Sequence, residues 1–290
     1  MHQGSTAGDS STSAPLQDGR RIAFAEYGVS NGRPLVVLHG TPGNRTQARA
    51  LDAAARRASI RIIAPDRPGC GYSDPRADLT FASYADDVRQ LLDHLGVSRT
   101  AVAGISGGGA FALACAQLLP NRVSKAILVC GMAPVPAKWR KGTPLQNRLL
   151  FWLAAHWPSL AATLMQRAYV GDPSSPALRR TISMMPAADR RVLEREDARE
   201  LLFGEASRDS LRQGPAAAIR ELALFARPLD FSLRDIAVPV CVIHGDADMN
   251  VPLGVAQYLV AQIPGATLNV IPGAGHLFLF ESPELLLERV

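Results

Sequence analysis

In AVAGISGGGAFALACA (101–116), Ser106 follows Gly104 by two residues and directly precedes Gly107, Gly108 and Gly109. A serine among four glycines has three readings: a tight turn, a phosphate cradle or a nucleophile. A phosphate loop needs a Lys and a Ser or Thr after its glycines, and no lysine stands near. A dinucleotide loop needs glycine where Ser106 stands. What remains is GxSxG, here Gly104-Ile105-Ser106-Gly107-Gly108, at the junction between an apolar run and a helical pattern. On such a strained turn the hydroxyl projects above the end of a strand, and residues two positions away must be small. The helix that follows turns its free N–H groups toward developing negative charge. That is a setting for a nucleophile.

A serine hydroxyl needs a base, and the base needs an orienting acid. Among the six histidines, His2 falls in the N-terminal leader, and His94 and His156 fall in helical patterns. His276, in NVIPGAGHLFLFESPE (269–284), follows a strand-like run and a glycine loop, from which a side chain reaches over a sheet edge. It is the expected base. The acid is expected in HGDADMNVP (244–252), where Asp246 and Asp248 fit equally on the residues alone. His244 and Asn250 read as groups that hold this loop. An attacked carbonyl also needs two backbone donors for its oxygen. The Gly107 N–H is one, and LHGTPGNR (38–45) offers Thr41 as the other, with Pro42 and Gly43 shaping the turn and His39 holding it.

These residues need a scaffold, and the pattern around them supplies one. RRIAFAEYG (20–28), PLVVLHG (34–40), IRIIAP (60–65) and the runs 100–105, 125–130, 236–245 and 267–271 read as strands. They alternate with helical patterns over 44–58, 81–96, 107–119 and 252–263, and from about Pro283. Such alternation predicts an α/β fold, a mostly parallel sheet with helices on both faces. It breaks at GMAPVPAKWRKGTP (131–144), after which only helical segments follow: 145–169, 176–185, 188–203 and 207–226. The expected plan is a disordered leader (1–17), an α/β core (18–131 and 234–290) and an inserted all-helical unit (132–233).

Net charge is +5 with a pI near 9.3. Between Met132 and Ala237, 16 Lys/Arg stand among 11 Asp/Glu, which reads as solvated helix faces rather than a nucleic-acid stripe. No apolar run reaches the roughly 18–20 residues of a membrane span, and the N-terminus has neither the basic start nor the apolar stretch of a secretory signal. Cys70, Cys115, Cys130 and Cys241 are widely spaced, without a zinc pattern, and read as free thiols of a reducing compartment. A cytoplasmic protein, with no membrane or nucleic-acid partner, is expected. The residues leave oligomeric state open.

On LHGTPG (38–43), DRPGCGYSDP (66–75), GISGGG (104–109), HGDADMNVP (244–252) and GAGHLFLFE (273–281), the chain resembles the α/β-hydrolase fold family, in its esterase-like branch with a helical cap. The resemblance covers about residues 18 to 290, and the order Ser106, Asp248, His276 matches the family's. In that family the acid follows its motif glycine by three residues and precedes a Val-Pro pair. This selects Asp248, after Gly245 and before Val251-Pro252, with Asp246 as second choice. The resemblance further implies fold roles for Asp66, Gly69, Gly71 and Ser73, a cap roofing Ser106, and no metal or cofactor. Ser106 argues against the dehalogenases and epoxide hydrolases of the family, which place an aspartate there. One departure is the glycine run at 107–109, where relatives often carry a bulkier residue; Gly107 would widen the pocket floor. The implied activity is a serine hydrolase cleaving a small or medium carboxylic ester through an acyl-enzyme. Alternatives on the same residues are thioester, amide, lactone or C–C bond hydrolysis and cofactor-free perhydrolysis. A non-catalytic ligand-binding protein comes last, since every catalytic part is present.

Overall fold

Short apolar runs buried on both faces need strands on either side and helices above and below. In the computed structural model, which describes residues 12–169 and 176–290, they find both. The strands are β1 (Ser13–Pro15), β2 (Arg21–Gly28), β3 (Arg33–Leu38), β4 (Ile60–Pro65), β5 (Thr100–Ile105), β6 (Val123–Val129), β7 (Val240–Gly245) and β8 (Thr267–Ile271). They form one sheet in the order β1-β2-β4-β3-β5-β6-β7-β8. β1 and β2 pair antiparallel, as do β2 and β4; every other pairing is parallel. β1 lies inside the stretch expected as a leader, and its pairing with β2 gives Ser13–Pro15 a place in the sheet; residues 1–11 of that stretch lie outside the described residues.

The helices are α1 (Asp52–Arg57), α2 (Phe81–His94), α3 (Gly108–Leu118), α4 (Leu145–His156), α5 (Pro158–Tyr169), α6 (Pro176–Ser183), α7 (Ala187–Glu194), α8 (Glu196–Phe203), α9 (Glu205–Ser210), α10 (Ala216–Phe225), α11 (Leu253–Gln262) and α12 (Glu284–Leu287). α2, α3 and α11 cover one face of the sheet, where Phe81, Tyr84, Phe111 and Leu259 join the larger core. α1 and α12 cover the other, with Leu51, Ala55, Leu286 and Leu287. α3 is buried almost all round, which explains its near absence of polar residues.

α4 to α10 all lie between β6 and β7, where the helical insertion was expected. They are shorter than the sequence pattern suggests, and each break has a cause. The run 145–169 splits at Pro158, which lacks an N–H and starts α5. The run 207–226 splits at Gly214-Pro215, where Gly214 takes a φ of +87°. Arg195 is extended and separates α7 from α8. Residues 45–51 form a 3-10 turn ahead of α1 rather than one α-helix from 44 to 58. The insertion has its own small core of Leu153, Ala161, Met165, Ile219 and Leu222, on α4, α5 and α10.

Two features of this plan matter for chemistry. The chain order of strands reverses between β3 and β5, and loops leaving the carboxyl ends of strands at such a point form a crevice. The register pairs Leu38 with Gly104, and Gly245 with Ile271, so the loops after β3, β5, β7 and β8 open on the same edge. All four cysteines are free thiols.

Candidate active site

Ser106 sits immediately after β5 with a φ of +50°, a conformation that L-residues rarely hold. Its N–H donates to the Val129 carbonyl (3.0 Å), and its own carbonyl accepts from the Gly109 (2.9 Å) and Met132 (2.7 Å) N–H groups. These three bonds hold the turn against a strain of about 1–3 kcal/mol. The surrounding glycines are needed because backbone packs directly onto backbone. A Cβ on Gly104 would lie 2.4 Å from the Gly108 oxygen, and one on Gly108 only 2.2 Å from the Leu38 oxygen.

The loop after β8 carries His276 over the sheet edge. Its Nε2 lies 3.0 Å from Ser106 Oγ and its Nδ1 2.7 Å from Asp248 Oδ2. With Nδ1 as donor to the carboxylate, Nε2 is left to accept the serine hydroxyl. The other oxygen of Asp248 accepts from the Asn250 (2.8 Å) and Val251 (2.9 Å) N–H groups. Asp246 is exposed and accepts instead from the Gly273 N–H (2.7 Å), tying the loop after β7 to that after β8. Of the two acids that the residues alone left open, Asp248 is the one against His276. His244 is buried and donates from Nε2 to the Val251 carbonyl (2.8 Å), consistent with a loop-holding group.

The electrostatics follow from these contacts. Burial pushes the Asp248 carboxyl up, but the charge and hydrogen bond of His276 and the Val251 N–H outweigh it and hold the group below the usual range. Burial pushes His276 down, but Asp248, with help from Asp189, outweighs it and leaves the imidazole above its ordinary value.

Thr41 and Gly107 face each other. A Cβ on Gly107 would stand 2.9 Å from the Thr41 nitrogen and 2.2 Å from its Oγ1. The missing side chain therefore does not widen a pocket floor, as the sequence suggested; the Thr41 side chain fills the space. Neither the Thr41 nor the Gly107 N–H is bonded to a backbone acceptor among the described residues.

Sequence reasoning gave no role at this centre to four residues, Arg67, Glu221, Asp189 and Cys130. Arg67 and Glu221 are fully buried and paired, Nε to Oε1 at 2.6 Å and Nη2 to Oε2 at 2.9 Å. Glu221 Oε2 also accepts from the Thr41 hydroxyl (2.6 Å), and Arg67 Nη2 donates to the Gly40 carbonyl (2.8 Å). This network ties α10 to the loop that bears Thr41. His39, buried beside it, bonds to the Gly40 carbonyl from Nδ1 (2.8 Å) and accepts the Arg67 N–H at Nε2 (3.2 Å). Burial, with the Arg67 charge, pushes it well down, so it stays neutral and holds the loop. Asp189 of α7, only 2% exposed, accepts from the Leu277 N–H (2.8 Å) beside His276. Cys130, buried at the end of β6, lies near Asp248, and burial together with that carboxylate keeps its thiol protonated. Arg67 was visible within DRPGCGYSDP, but its partner is 154 residues away on a helix that reads as amphipathic surface.

The expected fold residues are where the resemblance put them. Asp66 accepts from the Arg45 (2.6 Å) and Tyr72 (3.0 Å) N–H groups, and Ser73 Oγ accepts the Ala23 N–H (2.9 Å). Among the described residues, one cluster has metal-ligand types, Cys130, Asp248 and His276, with atoms within 4.8 Å of one another. The carboxylate and imidazole there already bond to each other, and the thiol is held protonated, so the donor set does not suit a cation.

A model of the alpha/beta hydrolase fold matches residues 33–283. The chain belongs to the α/β-hydrolase fold family. Among its relatives is a putative carbamate hydrolase from Caulobacter sp., 30% identical over 262 residues, covering 89% of each chain. Another is the 2-hydroxy-6-oxononadienedioate/2-hydroxy-6-oxononatrienedioate hydrolase of Burkholderia vietnamiensis, also 30% identical, covering 93% of this chain and 90% of that one. Among solved structures, an esterase from Exiguobacterium antarcticum superposes with a TM-score of 0.68 at 22% identity, covering 97% of both chains. As a member of this α/β-hydrolase family, the protein is an enzyme of the hydrolase type. No helix among the described residues is long and apolar enough to cross a membrane.

Proposed function

We propose that this α/β-hydrolase is a serine esterase acting on a small or medium carboxylic ester, without metal or cofactor. The observation that carries the reading is the relay from Ser106 Oγ to His276 Nε2 (3.0 Å) and from His276 Nδ1 to Asp248 (2.7 Å), beside the paired Thr41 and Gly107 amides. Ser106 attacks the carbonyl while His276 takes its proton. The Thr41 and Gly107 N–H groups hold the oxyanion, and the α3 N-terminus favours the same charge. His276 returns the proton to the departing alcohol, and Asp248 keeps the ring in the required tautomer and stabilises the imidazolium. Water, deprotonated by His276, then releases the acid. The helical insertion, residues 132–233, acts as the cap that roofs Ser106, and the substrate is a small molecule.

Fluorophosphonate labelling tests the assignment. The wild type should label and Ser106→Ala should not, with kcat falling by several orders of magnitude. Substantial turnover by a folded Ser106→Ala protein defeats it. A second reading, hydrolysis of a C–C bond, is favoured by the relative from Burkholderia vietnamiensis, whose name gives a dienedioate substrate. Turnover of p-nitrophenyl esters, compared with a thioester and an aryl dione, separates the two.

A further inference from the structure

Asp189 is the buried acid that the proposed mechanism leaves unused. It sits on α7, a two-turn helix of the insertion whose neighbouring Arg190 and Arg191 are exposed, yet its own side chain is turned inward and 2% exposed. Burying a carboxylate is costly unless donors meet it. The donor here is the Leu277 N–H at 2.8 Å, one residue beyond His276. The fit is close on the other side as well: a Cβ on Gly275 would stand 2.2 Å from Asp189 Oδ1. Gly275, one residue before His276, is therefore a glycine because a carboxylate from the insertion occupies the space beside it. Two weaker ties join the same elements, an exposed Arg191–Glu281 ion pair (3.1 Å) and Arg195 Nη1 donating to the Phe280 carbonyl (2.9 Å).

We infer that Asp189 is a positioning residue for His276, so that the insertion sets the geometry of the base as well as roofing the nucleophile. The inference rests on His276 acting as the base of Ser106. The residues 275–277 are held on the core side by few bonds, and the Leu277 N–H has its acceptor on α7. Fixing that amide fixes the backbone from which the ring must span Asp248 and Ser106. A misplacement near 1 Å at such a point costs about 100-fold in rate. The carboxylate also acts through charge. The groups facing His276 are Asp248 from the loop after β7, Asp189 from α7, the protonated Cys130 thiol at the end of β6, and the Ser106 hydroxyl. His244 lies beyond Asp248, 3.6 Å from Oδ2. Of these only Asp248 and Asp189 can carry negative charge, and both favour the imidazolium.

Asp189→Asn and Asp189→Ala separate position from charge, with Arg190→Ala as a control on the exposed face of the same helix. Each is measured for kcat and KM on a neutral p-nitrophenyl ester and for the pH dependence of fluorophosphonate labelling. Asp189→Asn keeps an acceptor but no charge, so the acid limb of labelling should move to lower pH with a modest fall in kcat. Asp189→Ala should lower kcat by about 10- to 100-fold with KM nearly unchanged. Arg190→Ala should match wild type. Unchanged kcat and an unchanged acid limb in both Asp189 variants overturn the inference. So does loss of fold in both, which makes Asp189 a residue of the scaffold. Labelling of Ser106→Ala, by contrast, would refute the serine assignment itself.

Discussion

In the proposed mechanism, His276 and Asp248 would make activity depend on pH in a direction fixed by their contacts. A general base must be neutral, and the Asp248 charge holds the imidazole above its ordinary value of 6.5 despite burial. Activity should therefore fall as pH drops through a value above 6.5, and kcat/KM across pH 5 to 9 checks it. Asp248→Asn should move that limb down and lower kcat by about 10⁴-fold, since it disturbs both tautomer and imidazolium. Asp246→Asn should cost far less, because that side chain is exposed and among the described residues bonds the Gly273 N–H rather than His276. The reverse ranking would transfer the orienting role to Asp246. The same shifts act on stability with opposite signs. The depressed Asp248 stabilises the fold above the usual carboxylate range and ceases to as pH falls through its lowered value. The raised His276 contributes fully below 6.5 and loses that contribution as pH rises through its folded value.

α10 shows what an element contributes that its own sequence does not display. Its apolar residues Ala218, Ile219 and Leu222 pack within the insertion, while Glu221 turns into the core to meet Arg67 and the Thr41 hydroxyl. Glu221→Ala strands a buried guanidinium, which should cost about 3–5 kcal/mol in chemical denaturation. Adding Arg67→Met should recover much of that stability but not kcat, because the Thr41 hydroxyl still lacks its acceptor. Recovery of both would mean that the network serves stability alone. Why Ser106, His276 and Thr41 were legible and Glu221 and Asp189 were not follows from the kind of constraint each obeys. The first three sit in glycine-rich loops whose local backbone demands appear in the sequence, GxSxG above all. The latter two lie on short amphipathic helices, where one buried carboxylate among exposed charges looks like any other polar residue. Their partners are 154 and 88 residues distant, and only the packed insertion brings them together. The strands were legible for the same local reason, as apolar runs between turn residues. The helix breaks at Pro158 and Gly214-Pro215 were hidden in the sequence by a periodicity that continues across them.

Considered as a whole molecule, the enzyme carries +5 charge, unevenly spread. No Asp or Glu occurs between Asp93 and Asp172, and Lys138, Arg140, Lys141 and Arg148 are all exposed just before or on α4. Such a field could draw anionic substrates toward the crevice, so two effects must be weighed. Exposed charges are screened over roughly 8 Å at physiological salt, which limits what they can select at the half-buried Ser106. The cation close to Ser106, Arg67, is neutralised by Glu221 and its side chain is fully buried, so it presents no open charge to a substrate carboxylate. The near field therefore favours neither sign, and the far field is weak. A neutral short-to-medium acyl ester should be preferred over the monoester of a dicarboxylate of matched length. The kcat/KM ratio of the two should change less than about 2-fold between low and high salt. A strong preference for the anionic ester that collapses with added salt would show instead that the basic stretch before and along α4 selects the substrate.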